Sequence, residues 1–219
     1  MKVKISCVSD RRLEKVLIRE CGEPLVNIRE YNKDILIDIE KESRTAQNLE
    51  PDTCFVRESV AIKISQAQSL LPEGVKIKVI DGFRPLSAQR KIYKQVFEEI
   101  KEKYPSWTEK QVGKETDKWV ANPKMTPPHC TGAAIDLILV NEKGKELDFG
   151  TSINTSSPKA AMKYPFISPR AKKNRELLNK TLRQVDFRNY PLEWWHWSYG
   201  DRIWAYYEKK EHAIYLAKE

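Results

Sequence analysis

The sequence has little histidine and glycine and no long apolar run. Of its 219 residues, three are His, eight are Gly and 12 are Pro, which excludes collagen-like and linker-dominated architectures. No apolar run approaches the roughly 20 residues that a membrane-spanning helix needs. Residues 1–7 lack the apolar stretch of a signal peptide. We therefore expect a cytoplasmic protein, or a periplasmic one if a signal has been removed, with no membrane partner.

The four cysteines form no paired motif. Cys7, Cys21, Cys54 and Cys130 are too far apart for a CxxC spacing, so neither a zinc knuckle nor a thioredoxin-like pair is indicated. A chain of this length buries a core without disulfide bonds, and we expect free thiols. Cys130 follows His129 directly, which leaves a thiol nucleophile as an alternative. Neighbours on a strand point to opposite faces, so adjacency does not itself create a catalytic pair.

The net charge raises the question of an anionic partner. The 39 Lys and Arg against 31 Asp and Glu give a net charge of +8, and such an excess is common in nucleic-acid-binding proteins. Residues 163–188 hold eight basic and two acidic residues, so six of the eight excess charges lie there. No helix-turn-helix, RNA-binding or zinc-finger signature accompanies them. We expect a solvated helix face, with neither a nucleic-acid nor a protein partner.

The apolar pattern predicts interspersed helices and strands. Apolar residues recur three and four apart in the predicted helices, which cover residues 55–71, 87–103, 106–121 and 170–185. Ser87 is a candidate cap for the second helix. Strands are predicted at 35–39, 75–79 and 133–140, polar loops at 40–52 and 150–169, and a partly helical tail at 201–217. These elements predict one α+β domain over residues 1–219.

Asp136 is out of place in the predicted strand 133–140, which is otherwise apolar. A buried carboxylate is costly unless it is paired or bound to a metal. His129 lies seven residues earlier and would face the other side of a regular strand. Gly132 permits a turn or bulge between them, which would let both face one site. The alternative is that Asp136 caps a helix or pairs with a buried Arg.

A second candidate segment is Glu-Trp-Trp-His at residues 193–196. His196 offers a neutral nitrogen ligand, and Glu193 is a candidate general base on a metal-bound water. Residues three apart on a regular strand face opposite sides, so this segment must bend or form one helical turn for both to reach one site. The alternative is an aromatic core strand with a solvated Glu and a hydrogen-bonded His.

Taken together, His129, Asp136 and His196 offer two nitrogens and one oxygen. Three protein ligands and an open fourth position are typical of catalytic zinc, whereas structural zinc is more often closed by four protein ligands. The remaining His212 lies in a charged segment, and we expect it at the surface.

Arg84 is the third candidate, within Asp-Gly-Phe-Arg-Pro at residues 81–85. Pro85 makes Arg84 extended, and Gly82 permits a tight turn, so the backbone aims the side chain. A fixed guanidinium suits a carboxylate or a developing oxyanion. The alternative is a structural salt bridge with a surface Asp or Glu.

The three segments, in this order, resemble the motifs of the D-alanyl-D-alanine dipeptidases. These zinc peptidases are related to the D,D-carboxypeptidases and to the hedgehog signalling domain. The resemblance spans about residues 81–204, within a motif-bearing core of about 55–204. It implies a compact α+β domain in which a central antiparallel sheet, flanked by helices, carries the zinc site.

The resemblance also implies a role for each residue. His129, Asp136 and His196 would bind one zinc ion. Glu193 would take a proton from the zinc-bound water and pass it to the leaving amine, and Arg84 would bind the scissile carbonyl as it becomes an oxyanion. The implied reaction is hydrolysis of D-alanyl-D-alanine, a small D-amino-acid peptide, to two D-alanines.

Two positions depart from the family pattern. Pro127, beside Thr126, stands where the family usually has Ser or Thr, two residues before the first His. Asn154 stands where an Asp commonly pairs with the substrate ammonium, and an amide lacks that charge. Asn154 is thus a candidate substrate-binding residue that would suit an acylated amine. The alternatives are a zinc D,D- or L,D-carboxypeptidase or endopeptidase on peptidoglycan stem peptides, and a non-catalytic zinc-binding module.

Overall fold

A computed structural model describes residues 10–39, 44–45, 48–50, 52–155 and 157–219 of the chain. The α-helices in these ranges are α1 Arg11–Glu14, α2 Ile28–Tyr31, α3 Glu58–Ser69, α4 Leu86–Lys103, α5 Glu109–Trp119, α6 Pro169–Gln184 and α7 Arg202–Glu208. The strands are β1 Leu17–Ile18, β2 Leu25–Asn27, β3 Leu36–Ile37, β4 Phe55–Arg57, β5 Val75–Asp81, β6 Ala134–Asn141, β7 Arg188–Asn189, β8 His196–Ser198 and β9 His212–Ala213. The α+β class predicted from the sequence is confirmed.

A five-stranded sheet in the order β3-β5-β6-β8-β7 lies at the centre of the fold. Its neighbours β5–β6, β6–β8 and β8–β7 are antiparallel, and only the edge strand β3 runs parallel to β5. The predicted central antiparallel sheet is therefore correct apart from this edge. Residues 134–140 of β6 are buried, as expected for a strand covered on both faces.

Two helices illustrate how the sequence sets the elements around this sheet. In α3, the residues Val60, Ile64 and Ala67 are fully buried in the same core as β5 and β6, because their spacing of three and four places them on one face. Helix α5 begins with a capping box in which Thr108 and Gln111 satisfy each other's backbone N–H groups.

Several predicted boundaries differ from the structure. The helix predicted from residue 55 begins at Glu58, because 55–57 pair with β2 as strand β4. Ser87 lies inside α4 rather than at its cap, which is Pro85. The loop predicted at 150–169 includes a 3₁₀ turn, Pro158–Ala160. The loop predicted at 40–52 lies largely outside the described residues.

The C-terminal tail contains more than a helix. After α7 the chain forms β9, which pairs in parallel with β1 through His212 and Leu17. His212 is half-buried there, so the expected surface histidine is only partly exposed. Burial follows from pairing with an element that periodicity did not indicate.

The basic helix α6 is only partly the solvated face predicted for it. Lys172 and Lys173 are exposed, but Arg175 is 2% exposed. Its guanidinium donates to three backbone carbonyls in the preceding loop, those of Phe149, Lys159 and Ala161, at 2.7–2.9 Å. One of the clustered charges therefore braces a loop instead of facing a partner. Among the described residues, no helix combines the length and apolarity required to cross a bilayer.

The buried centre of β6 sets an expectation for stability. Leu139 is fully buried opposite Ile77, so Leu139→Ala should lower the free energy of unfolding by about 2–5 kcal/mol, through lost burial and a cavity. Urea denaturation measures this change. Ile62→Ala, at a residue that is 43% exposed on α3, is the control and should change stability by no more than about 0.5 kcal/mol. Equal effects would contradict the assignment of β6 to the core.

Candidate active site

The first segment of the site leaves the sheet at the end of β5. Gly82 follows Asp81 there, and a Cβ at Gly82 would lie 2.4 Å from Cys54 Sγ and 2.9 Å from Phe55 O. Only glycine allows this close backbone approach. The carbonyl of Gly82 accepts a hydrogen bond from His129 Nδ1 at 2.8 Å. The glycine that turns the chain toward Arg84 thus also orients His129.

His129 lies on a short 3₁₀ turn, His129–Thr131, that leads into β6. Gly132 ends the turn in the left-handed region with φ 71°, and a Cβ there would lie 2.5 Å from Leu25 Cδ2. The turn expected at this glycine is present, and His129 and Asp136 face one site. Because a carbonyl only accepts, the bond to Gly82 places the proton of a neutral His129 on Nδ1. Its Nε2 lies 3.4 Å from Asp136 Oδ2.

Asp136 lies between the two imidazoles. The β6–β8 register places it opposite His196, and His196 Nδ1 lies 2.9 Å from Asp136 Oδ1. Burial by itself raises the pKa of Asp136, but His129 and His196 outweigh it, so the pKa lies well below its usual range. The pKa of His129, which burial lowers and Asp136 and Asp81 raise, is about 9. The alternative of a helix cap or a buried Arg partner for Asp136 was wrong.

The segment 193–196 is bent, as it must be for Glu193 and His196 to reach one site. His196 N approaches Glu193 O at 3.4 Å in a turn, so both residues reach the site. The tryptophans beside them are core residues, as the alternative reading expected, with Trp194 stacked on Phe149. Glu193 itself is half-buried at the cavity wall. Loss of water contact raises the pKa of Glu193.

The residues at this centre fit a zinc ion. One ligand atom from each of His129, Asp136 and His196 lies within 4.8 Å of the others. Two imidazole nitrogens and one carboxylate oxygen are the donors that catalytic zinc prefers. The bond from His129 to Gly82 supplies the outer support that metal-binding histidines usually have.

The guanidinium of Arg84 is hydrogen-bonded at both terminal nitrogens but not at Nε. Its Nη2 pairs with Asp81 Oδ2, and its Nη1 donates to Gln89 Oε1 at 2.8 Å. Its buried Nε has no partner among the described residues. Burial lowers the pKa of Arg84, but Asp81 and Asp136 raise it further, so the guanidinium stays charged. The salt bridge considered as an alternative exists, with a buried carboxylate rather than a surface one.

Two supporting residues were not identified as such from the sequence. Asp81 lies in the same motif as Arg84, three residues before it, and that spacing was the available signal. Gln89 is 1% exposed and also donates to Ala121 O at 2.8 Å. A glutamine inside a helix gives no sign of this role in the sequence, because the contact joins separate segments.

The motif residues line one cavity of about 420 Å³. They are Arg84, His129, Asp136, Asn154, Glu193 and His196. Pro127 lies in the wall, and Thr126 is not among the lining residues. A second cavity of about 500 Å³ shares Trp119, Asn154, Tyr190 and Glu193 with the first. Trp119 and Tyr190 are wall residues that the sequence did not single out.

Comparisons with known proteins find similar sequences. A family model described as D-ala-D-ala dipeptidase matches residues 39–214. A D-alanyl-D-alanine dipeptidase of Synechocystis is 28% identical over 220 residues, covering 89% of each chain. One of Escherichia coli is 23% identical over 146 residues, covering 66% of each.

Two solved structures resemble the fold. VanYB in complex with D-alanine-D-alanine is 18% identical, covers 71% of this chain and 79% of its own, and has a TM-score of 0.44. The LdcB LD-carboxypeptidase is 16% identical, covers 89% of this chain and 76% of its own, and has a TM-score of 0.42.

The cysteines provide a test of the thiol-nucleophile alternative. Burial raises the pKa of Cys130 to about 12 and that of Cys54 higher still, whereas Cys21 is exposed. In a Cys7→Ser background, a colorimetric thiol reagent should label one thiol quickly and two only after unfolding. Adding Cys21→Ser should abolish the fast phase. Rapid labelling of Cys130 that substrate prevents would restore the nucleophile as a candidate.

Proposed function

The chain belongs to the D-ala-D-ala dipeptidase family of peptidases, and on this premise we propose that it hydrolyses D-alanyl-D-alanine to two D-alanines with one bound zinc ion. One observation carries the proposal: His129, Asp136 and His196 converge within 4.8 Å at a cavity that Glu193 and Arg84 also line. The two relatives that bear the dipeptidase name support the choice of substrate.

In this proposal, His129 Nε2, Asp136 and His196 Nδ1 hold the metal. Bound zinc supplies Lewis acidity, which makes a water nucleophilic near neutral pH and polarises a carbonyl. The protein's own contribution is to keep three donors close together out of bulk water. The low pKa of Asp136 keeps it ionised, as a metal ligand must be.

Glu193 acts as general base and then as general acid. Its carboxylate removes a proton from the attacking water and delivers it to the amine as the C–N bond breaks. A carboxylate is suited to both steps when its pKa is raised toward the working pH, and the burial of Glu193 shifts its pKa in that direction.

Arg84 stabilises charge on the carbonyl oxygen. Its guanidinium is fixed by Asp81 and Gln89 before substrate binds, so little reorganisation is needed as the oxyanion develops. The unpartnered Nε supports a donor role toward the substrate. A Lys at this position would lack the planar fork that these partners hold.

Replacing Glu193 by Gln separates chemistry from metal binding. Glu193→Gln should reduce turnover of D-alanyl-D-alanine by about 10²–10⁴-fold, because general acid–base catalysis contributes that much, while zinc content stays near one ion per chain. Asp136→Asn keeps the size of the ligand and removes its charge, so zinc content itself should fall. Enzyme-coupled D-alanine detection and metal analysis measure the two effects.

The control is reconstitution of the wild type, in which chelation should abolish activity and added zinc should restore it. Undiminished turnover by Glu193→Gln would remove Glu193 from the mechanism. An active protein that never retains zinc would overturn the proposal as a whole.

A second candidate function is hydrolysis of acylated D-alanyl peptides, as a carboxypeptidase on stem peptides would perform. Asn154 favours it, because a neutral amide cannot form an ion pair with a substrate ammonium. A second cavity, of about 500 Å³, shares Asn154 and Glu193 with the catalytic one. It would offer room for atoms attached to an amine that binds beside Asn154. Both functions use the same hydrolytic residues.

Asn154→Asp tests which amine the site accepts. A hydrogen bond to a charged group contributes about 1.5–3 kcal/mol, whereas a neutral one contributes about 0.5–1.5 kcal/mol. The variant should therefore shift kcat/KM toward free over N-acetylated D-alanyl-D-alanine by roughly tenfold. Asn179→Asp makes the same change at a half-buried residue of another cavity and should not alter the ratio. If the wild type cleaves the free dipeptide well and ignores acylated forms, the second candidate fails.

A further inference from the structure

The turn at residues 129–132, which carries His129, is held at every backbone carbonyl by another part of the chain. The donors to these carbonyls, in order along the turn, are Arg84 N at 3.1 Å, Lys218 N at 2.8 Å, Arg57 Nε at 2.7 Å and Arg57 N at 2.9 Å. Arg57 thus supplies two of the four bonds, one from its backbone and one from its side chain. No other residue in this set bonds the turn through its side chain.

The guanidinium of Arg57 is fully buried. Its remaining N–H groups donate to residues 20–23 and to residue 216. It forms a two-pronged pair with Glu20, with Nη1 to Oε1 at 2.8 Å and Nη2 to Oε2 at 3.1 Å. It also donates to Glu23 O at 2.6 Å and Leu216 O at 3.0 Å, and it lies 4.7 Å from the ring centroid of Tyr215.

Glu20, the carboxylate partner of Arg57, is itself held by the backbone. Its carboxylate also accepts from the backbone N–H groups of Gly22 and Leu216. Burial raises the pKa of Glu20, but these N–H groups and Arg57 outweigh it, so the pKa lies below its usual value. Glu20 is therefore ionised, and Arg57 links this anion to Thr131 O in the turn.

This arrangement needs an arginine. Burying a charge pair costs about as much as the pair returns, and an apolar residue of similar volume often serves stability equally well. Only a planar fork can bond a carboxylate in two places and still reach separate carbonyls. Arg57 does not line the catalytic cavity, and its direct link to the site is its two bonds to the turn.

We propose that Arg57, paired with Glu20, is a positioning residue that holds His129 in its metal-binding orientation. The proposal rests on the function proposed above, in which His129 is a zinc ligand. Fixing the turn before metal arrives removes the cost of ordering His129 on binding. Arg57 therefore acts on zinc affinity and kcat, with little effect on KM.

The test compares Arg57→Lys with Arg175→Lys. Lysine keeps the charge but cannot reproduce the fork. Arg175 is the matched control, since it is also buried and also donates to three carbonyls, but in the loop that carries Asn154. Zinc dissociation constants come from chelator competition. The cobalt-substituted proteins report ligand geometry through their visible spectra.

Arg57→Lys should weaken zinc binding by about 10–100-fold, the usual effect of losing an outer-shell partner, and it should alter the cobalt spectrum. Its kcat at subsaturating zinc should fall while KM changes by less than about threefold. Arg175→Lys should leave zinc affinity and the cobalt spectrum as in the wild type. A folded Arg57→Lys variant that binds zinc as tightly as the wild type would overturn the proposal. If it also lost about as much thermal stability as Arg175→Lys, the role of Arg57 would be structural.

If Arg57→Lys does not fold, Glu20→Gln carries the same test. This substitution keeps the side-chain shape at a partly exposed position. It removes the negative charge that pairs with Arg57 and replaces one of the two acceptor oxygens with an NH2 donor. It should weaken zinc binding in the same direction, and unchanged affinity would refute the inference. A wild type that binds no zinc would refute the proposed function instead, so the two failures are distinguishable.

Discussion

The site depends on one carboxylate kept ionised away from water. Asp136 lies in β6, whose residues 134–140 are all buried. An unpaired anion there would cost several kcal/mol, and two imidazoles offset this cost. His196 is brought to it by the β6–β8 register. His129 reaches it through the left-handed Gly132. The placement of both histidines therefore follows from the need to compensate a single buried charge.

The site combines a rigid floor with walls from less regular segments. Asp136 and His196 belong to adjacent antiparallel strands, so their separation is fixed by sheet geometry. Glu193 lies on the turn between β7 and β8, and Arg84 lies on the turn between β5 and α4, so each turn begins at the sheet. Segments beside α5 and around Asn154 form the outer wall. Variation in substrate among such peptidases is therefore expected in these outer segments, since changes in the strands would disturb the ligands.

Much of the site was predictable because its chemistry is local in the sequence. An anion inside an apolar run identifies Asp136, and the glycine before it predicts the turn. Boundaries failed where distant pairing overrides local pattern, as when 55–57 pair with β2 instead of joining α3. The roles of Gln89 and Arg57 were hidden for the same reason. Their functional contacts join segments far apart in sequence, and no spacing rule reports them.

Lys218 couples two parts of the site through its backbone. Its N–H donates to Cys130 O at 2.8 Å, and its own carbonyl accepts from Leu86 N at 2.9 Å. This one residue therefore joins the segment after Arg84 to the segment after His129. Because both bonds use backbone atoms, they do not depend on which side chain stands at position 218, apart from proline, which has no N–H to donate. The sequence can therefore vary at this residue while the link between the two segments is kept.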